Sequence, residues 1–111
     1  MKKIINNPDE FVEESIKGLV NSYPEIYKFS SETNKVLTRY TQASNKVGLV
    51  SGGGSGHLPL FTGYIGIGLL DSCAIGNVFA SPSVDEISTA IKSANSGKGV
   101  LCIYGLSLIH I

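Results

Sequence analysis

The residues with the clearest chemical potential form one short block, Ser51-Gly52-Gly53-Gly54-Ser55-Gly56-His57. The block directly follows Lys46–Val50, an apolar run typical of a buried strand. Glycines let a backbone approach a ligand closely and expose its N–H donors, and an imidazole can take up or release a proton near neutral pH. Ligands of an open parallel sheet bind beyond the carboxyl ends of its strands. The block therefore predicts a pocket for a small polar or anionic molecule, with His57 as an acid or base at its rim.

This block departs from three better-known glycine motifs. No Gly-Lys-Ser/Thr triplet follows it, as a nucleotide-binding P-loop requires. A dinucleotide fingerprint that starts at Gly54 meets Pro59 instead of its third glycine, and one that starts at Gly52 meets His57. A nucleophile elbow around Ser55 also needs a glycine where His57 stands. Ser55 is therefore predicted to be a hydrogen-bonding loop residue, and a glycine-rich turn without a ligand remains the alternative reading of these residues.

The composition is that of a globular chain. Of 111 residues, 42% are apolar and 16% are charged, and nine basic residues balance nine acidic ones. This length allows one domain or part of a larger one, and a net charge of zero argues against a nucleic-acid partner. No apolar run reaches the ~18 residues of a membrane helix, and the N-terminus lacks the apolar stretch of a secretory signal. Cys73 and Cys102 lie in apolar segments and are predicted to be reduced core residues of a cytoplasmic protein.

Two helices and four strands are predicted around the block. The first helix spans Asn7–Tyr23, with Asn7 as its cap. The second begins at Ser83 and Glu86, which have the spacing of a capping box, and stops at Gly97. Strands are predicted at Lys35–Tyr40, Lys46–Val50, Cys73–Phe79 and Gly99–Tyr104. Apolar strands that alternate with helices indicate an α/β fold with a parallel or mostly parallel sheet and helices on both faces.

Other polar and aromatic side chains near the block receive structural interpretations. Asp71 is expected to cap or stabilise a turn, with a place in the pocket as the lesser alternative. Phe61 and Tyr64 are expected to pack over the loop. His110 has no partner motif and receives no role, and no metal site is predicted.

Residues Leu49–Pro59 resemble the signature loop of the substrate-binding (K) subunit of dihydroxyacetone (glycerone) kinases. The similarity also covers Met1–Asn6, Gly63–Asp71, Val78–Ser83 and Lys98–Leu101. We therefore interpret residues 1–105 as the N-terminal part of a K domain and residues 106–111 as a non-matching tail. The expected α/β fold would then be truncated.

The resemblance implies that Gly54, Ser55, Gly56 and His57 bind dihydroxyacetone, and that His57 is the general base for its phosphorylation. A proton leaves the hydroxyl as it becomes a phosphoryl acceptor, which suits a base at this place. The resemblance also implies that this chain binds no nucleotide. A separate L subunit or domain would carry ADP or ATP with Mg²⁺, and a phosphotransferase-system protein would supply the phosphate in bacterial multi-protein forms. The full-length subunit would be a homodimer.

The chain departs from the family pattern at two places. Many members have Glu where this chain has Leu58, which favours a related ketose such as erythrulose. After Gly105 the family continues with an Asp-containing segment, and its later half supplies a His that holds the ketose covalently. Neither residue can be placed here, so half of a substrate site is expected. The alternative function is that of a non-catalytic ketose-sensing paralogue that acts as a regulatory binding protein.

Overall fold

A computed structural model describes residues 2–105, which form a five-stranded sheet with one α-helix on each face. In chain order the elements are a 3-10 turn (Pro8–Glu10), α1 (Phe11–Ser22), β1 (Tyr27–Phe29), β2 (Val36–Arg39), β3 (Gly48–Gly54), two 3-10 turns (Ser55–His57 and Thr62–Tyr64), β4 (Ser72–Gly76), α2 (Val84–Ala94) and β5 (Val100–Cys102). None of the helices in this part of the chain is long and apolar enough to cross a membrane.

The sheet has the strand order β1-β2-β4-β3-β5. The three strands β4, β3 and β5 are parallel, whereas β1 and β2 join them as an antiparallel pair. The predicted α/β class with helices on both faces is confirmed, and the sheet is mixed. The sequence did not indicate β1, because its three residues are too few to show a pattern and are ordered by pairing Phe29 with Leu37.

Strand residues alternate between two cores, one on each face of the sheet. Leu37, Cys73 and Ile75 pack on the side of α1, together with Ile16 of that helix. Their neighbours Val36, Val50 and Ala74 pack on the side of α2, against Ala90 and Ala94. Both faces are therefore covered, as the uninterrupted apolar runs predict.

Both predicted capping interactions are present, although Asn7 caps the 3-10 turn Pro8–Glu10 and the α-helix itself starts only at Phe11. The Asn7 side chain accepts a hydrogen bond from the Asp9 amide at 3.1 Å. At the start of α2 the Ser83 hydroxyl accepts from the Glu86 amide at 3.2 Å, and the Glu86 carboxylate accepts from the Ser83 amide at 2.7 Å. These reciprocal bonds form the predicted capping box. Beyond α2 the chain turns through Gly97, whose φ of +93° suits glycine.

Cys73 and Cys102 are both free thiols. Cys73 is fully buried in the core on the α1 side, and burial raises the pKa of its thiol to about 12. Cys102 is half-buried and packs on the opposite face. The predicted core role is confirmed for Cys73.

Candidate functional site

The glycine block is not the free loop that its composition predicts, because β3 continues through Gly54. Gly52, Gly53 and Gly54 pair in parallel with Ala74, Ile75 and Gly76 of β4. The predicted strand ended at Val50, four residues too early. The strand predicted at Cys73–Phe79 is too long, since β4 ends at Gly76.

Close neighbours explain why glycines occupy this strand. A Cβ at Gly52 would lie 2.8 Å from the Ala74 carbonyl oxygen. A Cβ at Gly53 would overlap the ring of Phe61, which is buried and packs against the block as predicted. Ordinary side chains cannot occupy such positions without moving backbone or core. The glycines therefore serve close packing at least as much as ligand approach.

Two main-chain amides of the block are already used. The Ser55 amide donates to the Asn77 carbonyl at 3.0 Å, and the Gly56 amide donates to the Val78 carbonyl at 2.8 Å. The expectation that this segment exposes its N–H groups to a ligand is therefore wrong for these two residues. The two bonds tie the turn after β3 to the segment after β4.

His57 ends the 3-10 turn Ser55–His57 and is exposed at the carboxyl end of β3. The Leu60 amide donates to its main-chain carbonyl at 2.9 Å, which fixes the chain just after the imidazole. Beside it the Ser55 hydroxyl is buried and has no hydrogen-bond partner among the described residues. His57 and Ser55 thus lie on the same turn at the carboxyl end of β3, the end of a parallel sheet where ligands bind, with the imidazole exposed and the hydroxyl buried.

Gly56 and His57, at the end of the glycine block, are exposed to solvent. Two depressions on this part of the chain lie elsewhere, one of about 20 Å³ beside Asp71 and one of about 350 Å³ beside Glu13. No residue of the glycine block lines either of them. Apolar side chains flank His57 instead, with Phe79 94% exposed and Leu60 52% exposed. Tyr64, expected over the loop, is also more than half exposed.

Asp71 lies at the opposite end of the sheet, immediately before β4. Its carboxylate contacts the Arg39 guanidinium at 3.0 Å and the Lys46 ammonium at 2.6 Å. It also accepts a hydrogen bond from the Leu49 amide at 2.8 Å. The side chain of Asp71 is structural as predicted, but it forms ion pairs and a bond to a strand amide instead of capping or stabilising a turn, and it does not lie beside His57. Sequence reasoning missed its two basic partners, which come from distant segments.

Residues 17–106 match the Dak1 domain. Over 103 residues, the chain is 47% identical to the dihydroxyacetone-binding subunit of PTS-dependent dihydroxyacetone kinase 1 from Listeria innocua serovar 6a. The chain belongs to the Dak1 family. This alignment covers 93% of the chain and 31% of the Listeria protein. The chain thus spans about a third of the length of this protein and of the corresponding dihydroxyacetone-binding subunit from Lactococcus lactis.

Two further comparisons place the Dak1 chain in its family. The crystal structure of the dihydroxyacetone kinase from C. freundii in complex with AMP-PNP and Mg²⁺ superposes with a TM-score of 0.83 at 34% identity, covering 91% of this chain and 19% of that one. The DhaKLM operon coactivator DhaQ from Lactococcus lactis is 40% identical over 101 residues, which cover 91% of this chain and 30% of the coactivator. The resemblance found in the sequence is confirmed, and the family includes a protein named for regulation.

Among residues 2–105, no three His, Cys, Asp or Glu side chains are placed so that they could hold a metal ion. The acidic side chains near the sheet are instead used in helix capping and in the ion pairs of Asp71. The side chains at the site itself are therefore an imidazole, a hydroxyl and apolar groups.

Proposed function

We propose that this chain is the ketose-binding part of a dihydroxyacetone kinase, which phosphorylates dihydroxyacetone or a related ketose. The observation that carries the proposal is the placement of His57. The imidazole is exposed at the carboxyl end of β3, on a turn that two hydrogen bonds hold against the neighbouring strand connection. The 47% identity to a dihydroxyacetone-binding subunit supports a ketose as the ligand.

Within this site, Gly54 and Gly56 have a steric role. A Cβ at Gly54 would lie 2.9 Å from the Val78 carbonyl oxygen, and one at Gly56 would lie 2.5 Å from it. Lacking side chains, the two glycines let the turn rest on residues 77–80. The unpaired Ser55 hydroxyl can turn about its Cα–Cβ bond to donate to, or accept from, a ketose hydroxyl.

His57 acts as the general base in this proposal. As the ketose hydroxyl oxygen forms its bond to phosphorus, the imidazole takes the hydroxyl proton and the phosphoryl donor leaves with the electron pair of the broken bond. An exposed imidazole can return that proton to solvent. A group in this role contributes roughly 10²–10⁴ to the rate.

The phosphoryl donor comes from outside this chain. The glycine block lacks the lysine of a P-loop, and the described residues offer no Mg²⁺ cluster. We therefore assign ADP or ATP with Mg²⁺ to a separate L subunit, and the name of the Listeria relative favours a phosphotransferase-system protein as the phosphate source. A homodimeric full-length subunit remains part of the proposal. So does a cytoplasmic location, supported by the free thiols.

The ketose is dihydroxyacetone or a four-carbon relative such as erythrulose. Leu58 stands next to His57 and packs against the core on the α1 side, so its side chain is directed into the protein. Phosphorylation rates of the two ketoses under the same conditions test this part of the proposal. A strong preference for dihydroxyacetone would remove the erythrulose assignment and leave the kinase assignment intact.

The experiment for the main proposal uses the full-length protein that contains this sequence, with its phosphoryl-transferring partner. His57→Ala is expected to lower the rate of dihydroxyacetone phosphorylation by roughly 10²–10⁴. The matched control is Lys92→Ala on the exposed side of α2, which should leave the rate unchanged. Melting temperatures verify that both variants fold. An unchanged rate in a folded His57→Ala variant would contradict the role of His57.

The second candidate function is a regulatory ketose sensor. It is favoured by the 40% identity to the Lactococcus coactivator, which shows that this sequence type also occurs in a protein named for operon control. Binding alone would use the same turn and the same imidazole. The two functions are separated by turnover, since a sensor binds dihydroxyacetone and a transcription factor without forming phosphorylated ketose in the presence of the partner subunit.

A further inference from the structure

The chain that follows His57 folds into a series of tight turns, which we call the supporting loop and define as residues 58–65. Near its start, the Leu60 amide donates to the His57 carbonyl at 2.9 Å. Near its end, the Ile65 amide donates to the Thr62 carbonyl at 3.2 Å. These local bonds keep the turns in shape, but another contact is needed to hold the supporting loop against the rest of the protein.

One hydrogen bond joins the supporting loop to a distant strand. The Tyr27 hydroxyl of β1 donates to the Thr62 carbonyl at 2.8 Å. Among the described residues, every other hydrogen bond of the supporting loop stays within residues 55–70. Both partners are buried, since Tyr27 is 7% exposed and Thr62 is 2% exposed. The position of Thr62 is therefore set from β1, in a part of the core where water does not compete for the bond.

The ring that carries this hydroxyl is itself held in place. Pairing of β1 with β2 places Tyr27 opposite Arg39. The Tyr27 ring packs in the core on the α1 side, where Ile16 is also buried. The Tyr23 ring meets it edge-on, with the ring centroids 6.5 Å apart. Because side chains in a close-packed core have little freedom to reorient, the Tyr27 hydroxyl is a fixed point for the supporting loop.

Two routes connect Thr62 to His57. The first follows the chain back through Leu60, whose amide bonds to the His57 carbonyl. The second passes through Phe61, the neighbour of Thr62, whose ring fills the space that a Cβ at Gly53 would occupy. Gly53 belongs to β3, just before the turn that carries His57. A shift of Thr62 would therefore reach that turn from both of its sides.

We propose that Tyr27 is a positioning residue for His57. The Tyr27 hydroxyl fixes the supporting loop, and the supporting loop fixes the turn that presents the imidazole to the ketose. This inference rests on the proposed role of His57 as the general base. A base must be held accurately against the proton that it removes, and a displacement of about 1 Å can cost roughly 10²-fold in rate.

The test compares two tyrosine hydroxyls in the full-length protein with its phosphoryl-transferring partner. Tyr27→Phe removes the bond to Thr62 and keeps the buried ring. The matched control is Tyr23→Phe, which removes a hydroxyl from the neighbouring ring, itself 49% exposed. At saturating dihydroxyacetone, the single-turnover rate of phosphoryl transfer should fall by about 3- to 30-fold in Tyr27→Phe, which is less than a full 1 Å displacement would cost. The rate should stay unchanged in Tyr23→Phe.

A double variant separates positioning from a general loss of structure. In His57→Ala no imidazole is left to position, so adding Tyr27→Phe should lower the rate no further. An equal fold-loss from Tyr27→Phe with and without His57 would overturn the proposal. So would an unchanged rate in Tyr27→Phe while His57→Ala is slow, and that result would leave the general base intact. A fully active His57→Ala would instead refute the general base and the positioning role together.

Amide hydrogen exchange tests the same connection without catalysis. The Leu60 amide reports on the loop beside His57 because it is bonded to the His57 carbonyl. It should exchange about 2- to 13-fold faster in Tyr27→Phe, the range that corresponds to the loss of one net hydrogen bond. It should keep its exchange rate in Tyr23→Phe. Unchanged protection of Leu60 in Tyr27→Phe would overturn the proposal, since the supporting loop would then keep its place without the hydroxyl.

Discussion

Replacing Gly56 by alanine tests whether the glycine block is a packed structural element. A Cβ at this position would lie 2.5 Å from the Val78 carbonyl oxygen and 3.4 Å from the ring of Phe79. The first distance is about 1 Å shorter than ordinary van der Waals contact. The exposed ring can move aside, but the carbonyl belongs to the backbone. Either the turn or the segment after β4 must therefore shift.

The stability lost in Gly56→Ala is set by whichever of these two shifts costs less free energy. If the turn lifts away from residues 77 and 78, it loses the hydrogen bonds from the Ser55 and Gly56 amides. Each contributes about 0.5–1.5 kcal/mol, so the free energy of unfolding should fall by about 1–3 kcal/mol. If the turn stays in place, overpacking costs a similar 1–3 kcal/mol. The first route also displaces His57, which lies on the turn, and ketose binding should then weaken together with stability.

Urea unfolding followed by circular dichroism measures the stability change, and amide hydrogen exchange at Ser55 locates it. The control is Gly63→Ala, where the nearest neighbour of an added Cβ is the Pro59 Cβ at 3.5 Å, an ordinary contact. We expect Gly56→Ala to be destabilised and its Ser55 amide to lose protection, while Gly63→Ala changes neither. If Gly56→Ala unfolds within about 0.5 kcal/mol of the unmodified chain and Ser55 stays protected, the packing argument fails.

Two further predictions concern α2 and the core. Ser83→Ala should lower the free energy of unfolding, measured in urea, by about 0.5–2 kcal/mol because it removes the capping box. The control is Glu86→Gln, whose side chain can still accept a hydrogen bond from the Ser83 amide. A larger loss of stability in Glu86→Gln than in Ser83→Ala would contradict this prediction. Cys73, with its thiol pKa raised to about 12 by burial, should resist alkylation at pH 8 until the chain unfolds. Between pH 9 and pH 12 the thiol of the unfolded chain loses its proton while that of the folded chain keeps it, so the free energy of unfolding should fall with rising pH. In Cys73→Ala the free energy of unfolding should fall less steeply over the same range.

Features encoded by local sequence were predictable. Asn7 and the Ser83–Glu86 pair mark helix starts because capping depends on residues within one turn of each other. The apolar runs at Val36, Val50 and Cys73 mark strands because burial on both faces of a sheet requires them. The family was recognisable for the same reason, since its signature is one contiguous block of glycines ending in His57.

Features that depend on distant pairing were not predictable. Glycine is disfavoured in strands by its own conformational freedom, and only the closeness of Ala74 and the Phe61 ring makes it suitable at Gly52 and Gly53. The use of the Ser55 amide likewise depends on where Asn77 lies after β4 is paired. The composition shows how many glycines the block contains. It does not show which residues pack against them, because those residues come from other parts of the chain.

The two ends of the β3–β4 pair depend on each other through strand register. At one end, the bond from the Leu49 amide to Asp71 holds Val50 opposite Ser72. The same register continues to Gly54 opposite Gly76, about 13 Å further along the strand. A slip by one residue would reverse the faces of every side chain and would move the glycines away from the close contacts that require them. The ion pairs of Asp71 with Arg39 and Lys46 therefore contribute to the register that places His57, although they lie at the other end of the sheet. A charge-neutralising change at Asp71 should disturb ketose binding through strand register while leaving every residue of the glycine block unchanged.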